Sequence, residues 1–159
     1  MAIREIRMLG ESVLRKKAKE VTEMTPKIRE LIVDMFETMN QEAGVGLAAP
    51  QVGILKRIVV MNVDGENDLI LINPVILEAS GEQVGKEGCL SLPGKHGTVA
   101  RPNYVKVKAL DENMKEFILE GTELLARAIC HECDHLDGIF YTSHVIGELE
   151  DVTDDIEEE

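Results

Sequence analysis

His131-Glu132-Cys133-Asp134-His135, near the C-terminal end of this 159-residue chain, is a His-Glu-x-x-His run whose spacing points to metal chemistry. On a helix, residues i and i+4 are neighbours about 5–6 Å apart at Cβ, so both imidazoles can reach one ion. Glu132 lies one step round the same helix, too offset to be an easy ligand. There it is placed to handle the proton of a water activated by that ion. The helix has marked ends: Thr122 reads as its N-cap, Glu123 puts a negative charge in the first turn, and Gly138 sits at the expected stop. At about 100° per residue, Leu125, Ala126, Ile129, Cys133 and Leu136 share an apolar face, and Leu124, Ala128, His131 and His135 fall nearly opposite. Glu123, Arg127, Cys130, Asp134 and Asp137 are left as a narrow polar stripe. A helix packed on one side and bearing a small-residue, metal-holding pocket on the other belongs at the centre of the fold.

Two histidines leave a tetrahedral site short of one protein donor. The extended pattern His-Glu-x-x-His-x-x-Gly-x-x-His fails here, because its last position is Tyr141 and His144 comes three residues late. A glutamate from a following helix is a weak alternative, since Glu148, Glu150 and the terminal acids have no apolar scaffold behind them. A cysteine is the better candidate. Cys133 and Cys130 project away from the histidine pair and read as small packing residues. That leaves Cys89, in the glycine- and proline-punctuated segment Glu87-Gly88-Cys89-Leu90-Ser91-Leu92-Pro93-Gly94, where Gly88 lets the backbone approach another element. A second glycine-rich segment, Gly44-Val45-Gly46-Leu47-Ala48-Ala49-Pro50-Gln51, is neither a phosphate loop nor a dinucleotide fingerprint. It can serve as a backbone wall for an extended ligand, with Gln51 as an amide donor. These residues taken alone also admit a zinc endopeptidase or a purely structural metal site.

The remainder reads as mixed α and β without internal repeats. Thr25-Pro26 opens an amphipathic helix in which Ile28, Leu31, Ile32, Met35, Phe36 and Met39 recur at helical spacing. Strand-like runs follow at 58–63, 69–73, 76–79, 104–110 and 116–120, the last two joined by an Asp111–Met114 turn. The fold class expected is α+β: antiparallel β-sheets wrapped around a central metal-binding helix, with an N-terminal amphipathic helix. Net charge is −13, but residues 148–159 hold eight acids and no base, leaving 17 basic against 22 acidic residues, or −5, elsewhere. The expected organisation is a catalytic domain over 1–147 and an acidic, mobile tail over 148–159. No basic patch suggests direct nucleic-acid binding, and no apolar run has membrane-spanning length. Three cysteines without a secretory leader suit a reducing compartment, so the cytoplasm is expected.

In order along the chain, Gly-x-Gly-Leu-Ala-Ala-Pro-Gln, Glu-Gly-Cys-Leu-Ser and His-Glu-x-Asp-His-Leu-x-Gly resemble the three signature motifs of the peptide deformylase family. The resemblance runs from about Ile3 to Val145 and departs from many members at Cys130, where glutamine is common, and at His96, where some carry arginine. It implies hydrolysis of the N-formyl group from the formylmethionine of newly made proteins, with release of formate. It implies one divalent metal ion per chain held by Cys89, His131 and His135, with Fe(II) expected and Zn(II), Ni(II) or Co(II) as substitutes. Glu132 would act as general base and then acid, while the Gln51 amide and the Leu90 backbone N–H would help stabilise the oxyanion. Val45, Leu124 and Ala128 match positions lining the family's methionine pocket, and Gly44 and Gly46 would pair with the peptide backbone. Arg101 could pair with Glu87 and steady the cysteine loop. The partners implied are formylated nascent chains at the ribosome, met by a monomer.

Overall fold

Residues 2–152 are described by a computed structural model of the chain. Helix α1 spans Pro26–Gln41, with proline in its first turn and Thr25 Oγ1 accepting the Ile28 N–H at 3.2 Å. Its Ile28, Leu31, Ile32, Met35 and Met39 form one buried seam. That seam lies on a five-stranded antiparallel sheet built from β1 (Gly46–Ala48), β2 (Ile58–Met61), β3 (Leu69–Ser80), β6 (Tyr104–Leu110) and β7 (Glu116–Thr122), in the order β1-β2-β3-β6-β7. All four residues of β2, Ile-Val-Val-Met, are buried because both faces of the sheet are covered. Ile58 and Val60 join the cluster under α1, while Val59 and Met61 join a second cluster under helix α2 (Glu123–Leu136).

The two strands expected at 69–73 and 76–79 are one continuous strand with a register shift between Ile72 and Val75. Asn73 adopts φ +52° at that irregularity, and its side chain brackets Val21, accepting from the N–H at 2.9 Å and donating to the carbonyl at 2.8 Å. The Asp111–Met114 turn joins β6 to β7 as expected.

A second sheet, β4 (Gln83–Cys89), β5 (Leu92–Arg101) and β8 (Val145–Asp151) in the order β4-β5-β8, has no counterpart among the expected strands. Gly85, Gly88, Pro93, Gly94 and Gly97 mask it, because glycine and proline carry little strand propensity. Here they serve close packing: a Cβ on Gly97 would fall 2.6 Å from the Val145 side chain. The expected boundary between 147 and 148 cuts through β8. Glu150 and Asp151 are part of the sheet and pair with Lys86 at 2.6 Å and Lys95 at 2.5 Å. Residues 153–159 of the expected tail lie outside the described residues.

Helix α2 starts after Thr122, but not through the expected cap, since the Thr122 hydroxyl makes no capping bond. Glu123 instead takes φ +54°, donates its N–H to the Asn103 carbonyl at 3.1 Å and accepts from Gln83 Nε2 at 2.7 Å. The helix stops at Gly138, where φ is +75° and a Cβ would fall 2.5 Å from the Arg15 carbonyl oxygen, so both the backbone and the space favour glycine. Within the expected polar stripe Arg127 is buried, and Cys130 is buried as a packing residue should be. Strands β4 and β5 cover that flank of α2, and nothing local to the helix reports their arrival.

Candidate metal centre

Helix α2 presents His131 and His135 one turn apart, with Nε2 to Nε2 at 3.2 Å. Cys89 ends β4, just before the Leu90-Ser91 turn into β5, and its Sγ lies 3.2 Å from His135 Nε2. The three donor atoms lie within 4.8 Å of one another. Donors 2.0–2.3 Å from a common tetrahedral ion stand about 3.3–3.6 Å apart, so the spacing suits a single cation. Protonation supports the same reading. Glu87 Oε1 accepts from His131 Nδ1 at 2.6 Å, which leaves Nε2 as the donor atom facing the cluster. Two imidazole Nε2 atoms and a sulfur converging in a buried place form a donor set that a single cation can satisfy. The donor set therefore fits a divalent metal.

Charge is arranged around this cluster. Burial works against a proton on His131, yet its bonds to Cys89 and Glu87 win and push its pKa up to about 10. A cation must displace that proton. His135 is held well below the usual histidine range, first by burial and then by the neighbouring His131 charge. For Glu87, burial alone would raise the pKa, but His131 and Arg101 hold the carboxyl well below the ordinary range. Arg101 makes the expected pair, Nη2 to Oε1 at 2.6 Å and Nε to Oε2 at 3.1 Å, and continues to Asp134 at 2.8 Å.

Glu132 is 5% exposed, and its Oε1 has no hydrogen-bond partner among the described residues. Burial pushes its pKa up to about 7. A Cβ on Gly46 would come within 2.7 Å of Glu132 Oε2, so only glycine lets β1 lie against this carboxylate. A pocket of about 490 Å³ opens over the cluster. Gly44, Val45 and Gly46 form one wall, Leu124 and Ala128 another, and Gln51, Cys89, Leu90, His131 and Glu132 its floor and sides. His135 stands behind them, 1% exposed. Gln51 sits in a 3-10 turn, Ala49–Val52, accepts from the Ala48 N–H at 3.0 Å, and donates Nε2 toward Ser91 Oγ at 3.1 Å and Cys89 Sγ at 3.4 Å. Leu90 packs its side chain over Gly44, where a Cβ would meet it at 2.8 Å.

Four neighbours escaped the reading of the sequence. Ser91 shares the Gln51 amide. Tyr141 stacks on His131 with centroids 5.9 Å apart, and Phe140 meets His135 edge-on at 4.9 Å. Arg127 donates to Glu87 Oε2 at 2.7 Å. Its position four residues before His131, hence on the same side of the helix, was the available signal.

An α+β frame in which a Cys-His-His cluster could hold a cation beside a buried glutamate has the parts that metal-dependent hydrolysis requires. Residues 3–150 match the family model described as polypeptide deformylase. A peptide deformylase of Lachnoclostridium phytofermentans is 60% identical over 161 residues, covering 100% of this chain and 99% of the relative. One from Agathobacter rectalis is 62% identical over 153 residues, covering 96% of each. Among solved structures, a Legionella pneumophila peptide deformylase superposes with a TM-score of 0.88 at 42% identity, over 91% of this chain and 86% of that one. A Synechococcus elongatus peptide deformylase in complex with actinonin gives 0.88 at 41% identity, over 91% and 80%. The chain belongs to the polypeptide deformylase family.

Proposed function

We propose that this chain removes the N-formyl group from the formylmethionine of newly made proteins, leaving formate and a free amino terminus. The observation that carries the reading is the convergence of Cys89, His131 and His135 at the floor of a pocket that also holds the buried Glu132. When bound, a divalent cation supplies Lewis acidity there, lowering the pKa of water and polarising the formyl carbonyl. Glu132 accepts the proton of the attacking water at its carboxylate and returns it to the departing amine. Burial raises its pKa, and a nearby cation would favour the ionised base that takes the proton. The Gln51 amide and the Leu90 N–H flank Cys89 and stabilise negative charge on the formyl oxygen. Gly44 and Gly46 offer backbone groups to an extended peptide, and Val45, Leu124 and Ala128 receive the methionine side chain.

The family is metal-dependent, and ferrous iron is the ion we assign in the cell, with Zn(II), Ni(II) or Co(II) as substitutes. Thiolate and imidazole donors accept all four. No described helix is long and apolar enough to cross a membrane. We place the chain in the cytoplasm, as a monomer meeting nascent chains at the ribosome, with one catalytic domain that includes β8. The test is formate release by protein purified without oxygen and loaded with Fe(II). Release from formyl-Met peptides, with no cleavage of the unformylated peptides, is the expected result. Internal cleavage without formate would establish an endopeptidase instead.

A further inference from the structure

We infer that Arg127 is a positioning residue that clamps the histidine helix to the cysteine hairpin and thereby sets how tightly the three donors hold their cation. The inference rests on the metal-holding role given above to Cys89, His131 and His135.

Arg127 is 7% exposed, and both of its terminal nitrogens are committed. Nη1 donates to Glu87 Oε2 at 2.7 Å, and Nη2 donates to the Val99 carbonyl at 3.1 Å. The first bond reaches β4 two residues before Cys89, and the second reaches β5, whose Val99 lies opposite Gly85 of β4. One side chain of α2 therefore spans both strands of the hairpin that carries the sulfur donor. The carboxylate it grips is the one that orients His131: Glu87 Oε1 takes His131 Nδ1 and Arg101 Nη2, each at 2.6 Å, and Oε2 takes Arg127 and Arg101 Nε.

Arg101 runs the opposite way, from β5 through Glu87 to Asp134 on α2. The two guanidiniums thus cross-brace helix and hairpin through a single carboxylate. A planar fork with two donor directions is needed for this, and a lysine ammonium at position 127 supplies charge without the second directed bond. A separate observation shows that the fold makes room for the clamp. A Cβ on Gly85 would stand 3.3 Å from Arg127 Nη2, so β4 is bare where the guanidinium crosses it. An alanine there presses on the guanidinium, which must give by a few tenths of an ångström against its bond to the Val99 carbonyl, while every charged residue is kept.

Partners of metal-ligating histidines typically change metal affinity about 10–100-fold when removed. The experiment loads the protein and its variants with Co(II), records the thiolate-to-cobalt absorption, and follows cobalt loss to excess chelator far below the unfolding temperature. R127M is expected to release cobalt at least tenfold faster than the parent and to shift the absorption band. R127K is expected to stay closer to R127M than to the parent, and G85A to release several-fold faster. The R127M and G85A effects should be less than additive, because both break the same bond to β5. If R127M does not fold, R127K and G85A decide alone. Release within twofold of the parent in both, with an unshifted band, overturns the inference even if stability falls, since a purely structural arginine would give that result. A parent that takes up no cobalt at its thiolate removes the metal-site reading and this inference with it.

Discussion

Glu132 and Glu87 are two buried carboxylates on opposite sides of His131, and their surroundings drive them apart. For Glu132, burial outweighs the charges of His131 and Arg101 and raises its pKa to about 7. Glu87 is held ionised by His131 and Arg101 in spite of its burial. One can exchange a proton near neutrality, whereas the other orients a ring and keeps its charge. Replacing Glu132 by alanine should lower formate release by about 10²–10⁴-fold while metal content, read by elemental analysis, stays at one per chain. Retained turnover would remove Glu132 from the role proposed for it. Replacing Glu87 by glutamine leaves the buried Arg127 without its counter-charge and Arg101 with Asp134 alone, and should cost about 3–5 kcal/mol at pH 7 in urea unfolding. Because the folded pKa of Glu87 lies below its ordinary 4.5, the folded state binds fewer protons there than the unfolded chain. Its contribution is therefore complete above about pH 4.5 and is lost as pH falls through the lower folded value. Stability should drop more steeply below pH 4.5 in the parent than in E87Q, and equal slopes would contradict the pairing.

At the level of elements, the parts with a period were legible and the parts without one were not. Ile28 to Met39 repeat at helical spacing and give α1, and 104–110 with 116–120 alternate around a turn and give β6 and β7. The ligand pair and Cys89 could be read because i,i+4 spacing on a helix and a missing third donor are chemical constraints that survive without coordinates. The second sheet is hidden because β4 and β5 carry four glycines and a proline, of which Gly85, Gly88 and Gly97 allow close approach to Arg127, the Lys95 backbone and Val145. Without that hairpin, nothing on α2 shows that Arg127 of the polar stripe is buried. The groups that bury it lie about 30–40 positions upstream, and no local pattern on α2 encodes them. Strand β8 was likewise read by its acids alone, although Ile146 opposes Thr98 and Glu150 opposes His96 across the β5 ladder. Ending the chain after Gly147 should therefore lower Tm by about 2–6 °C, the shift expected for loss of one to two kcal/mol in a chain of this size. An unchanged melting curve would favour a free tail over a strand.

Across the whole molecule, the centre is assembled from three stretches that are far apart in sequence: the 44–51 wall on β1, the β4–β5 hairpin and helix α2. The five-stranded sheet fixes the first and third relative to one another through the clusters on its two faces, and the Glu87 network fixes the second to the third. A cation shared by Cys89 and the two helix histidines, as proposed, would tie the hairpin to α2 and, by binding only the folded arrangement, would add stability by mass action. Everything proposed for catalysis depends on that shared ion. The most direct measurement is X-ray absorption at the metal edge of anaerobically loaded protein. One sulfur and two imidazole nitrogens around the ion, with the sulfur lost in Cys89→Ser, is the result expected from this arrangement of donors. An ion with no sulfur neighbour, or with its sulfur signal unchanged in that variant, would contradict it.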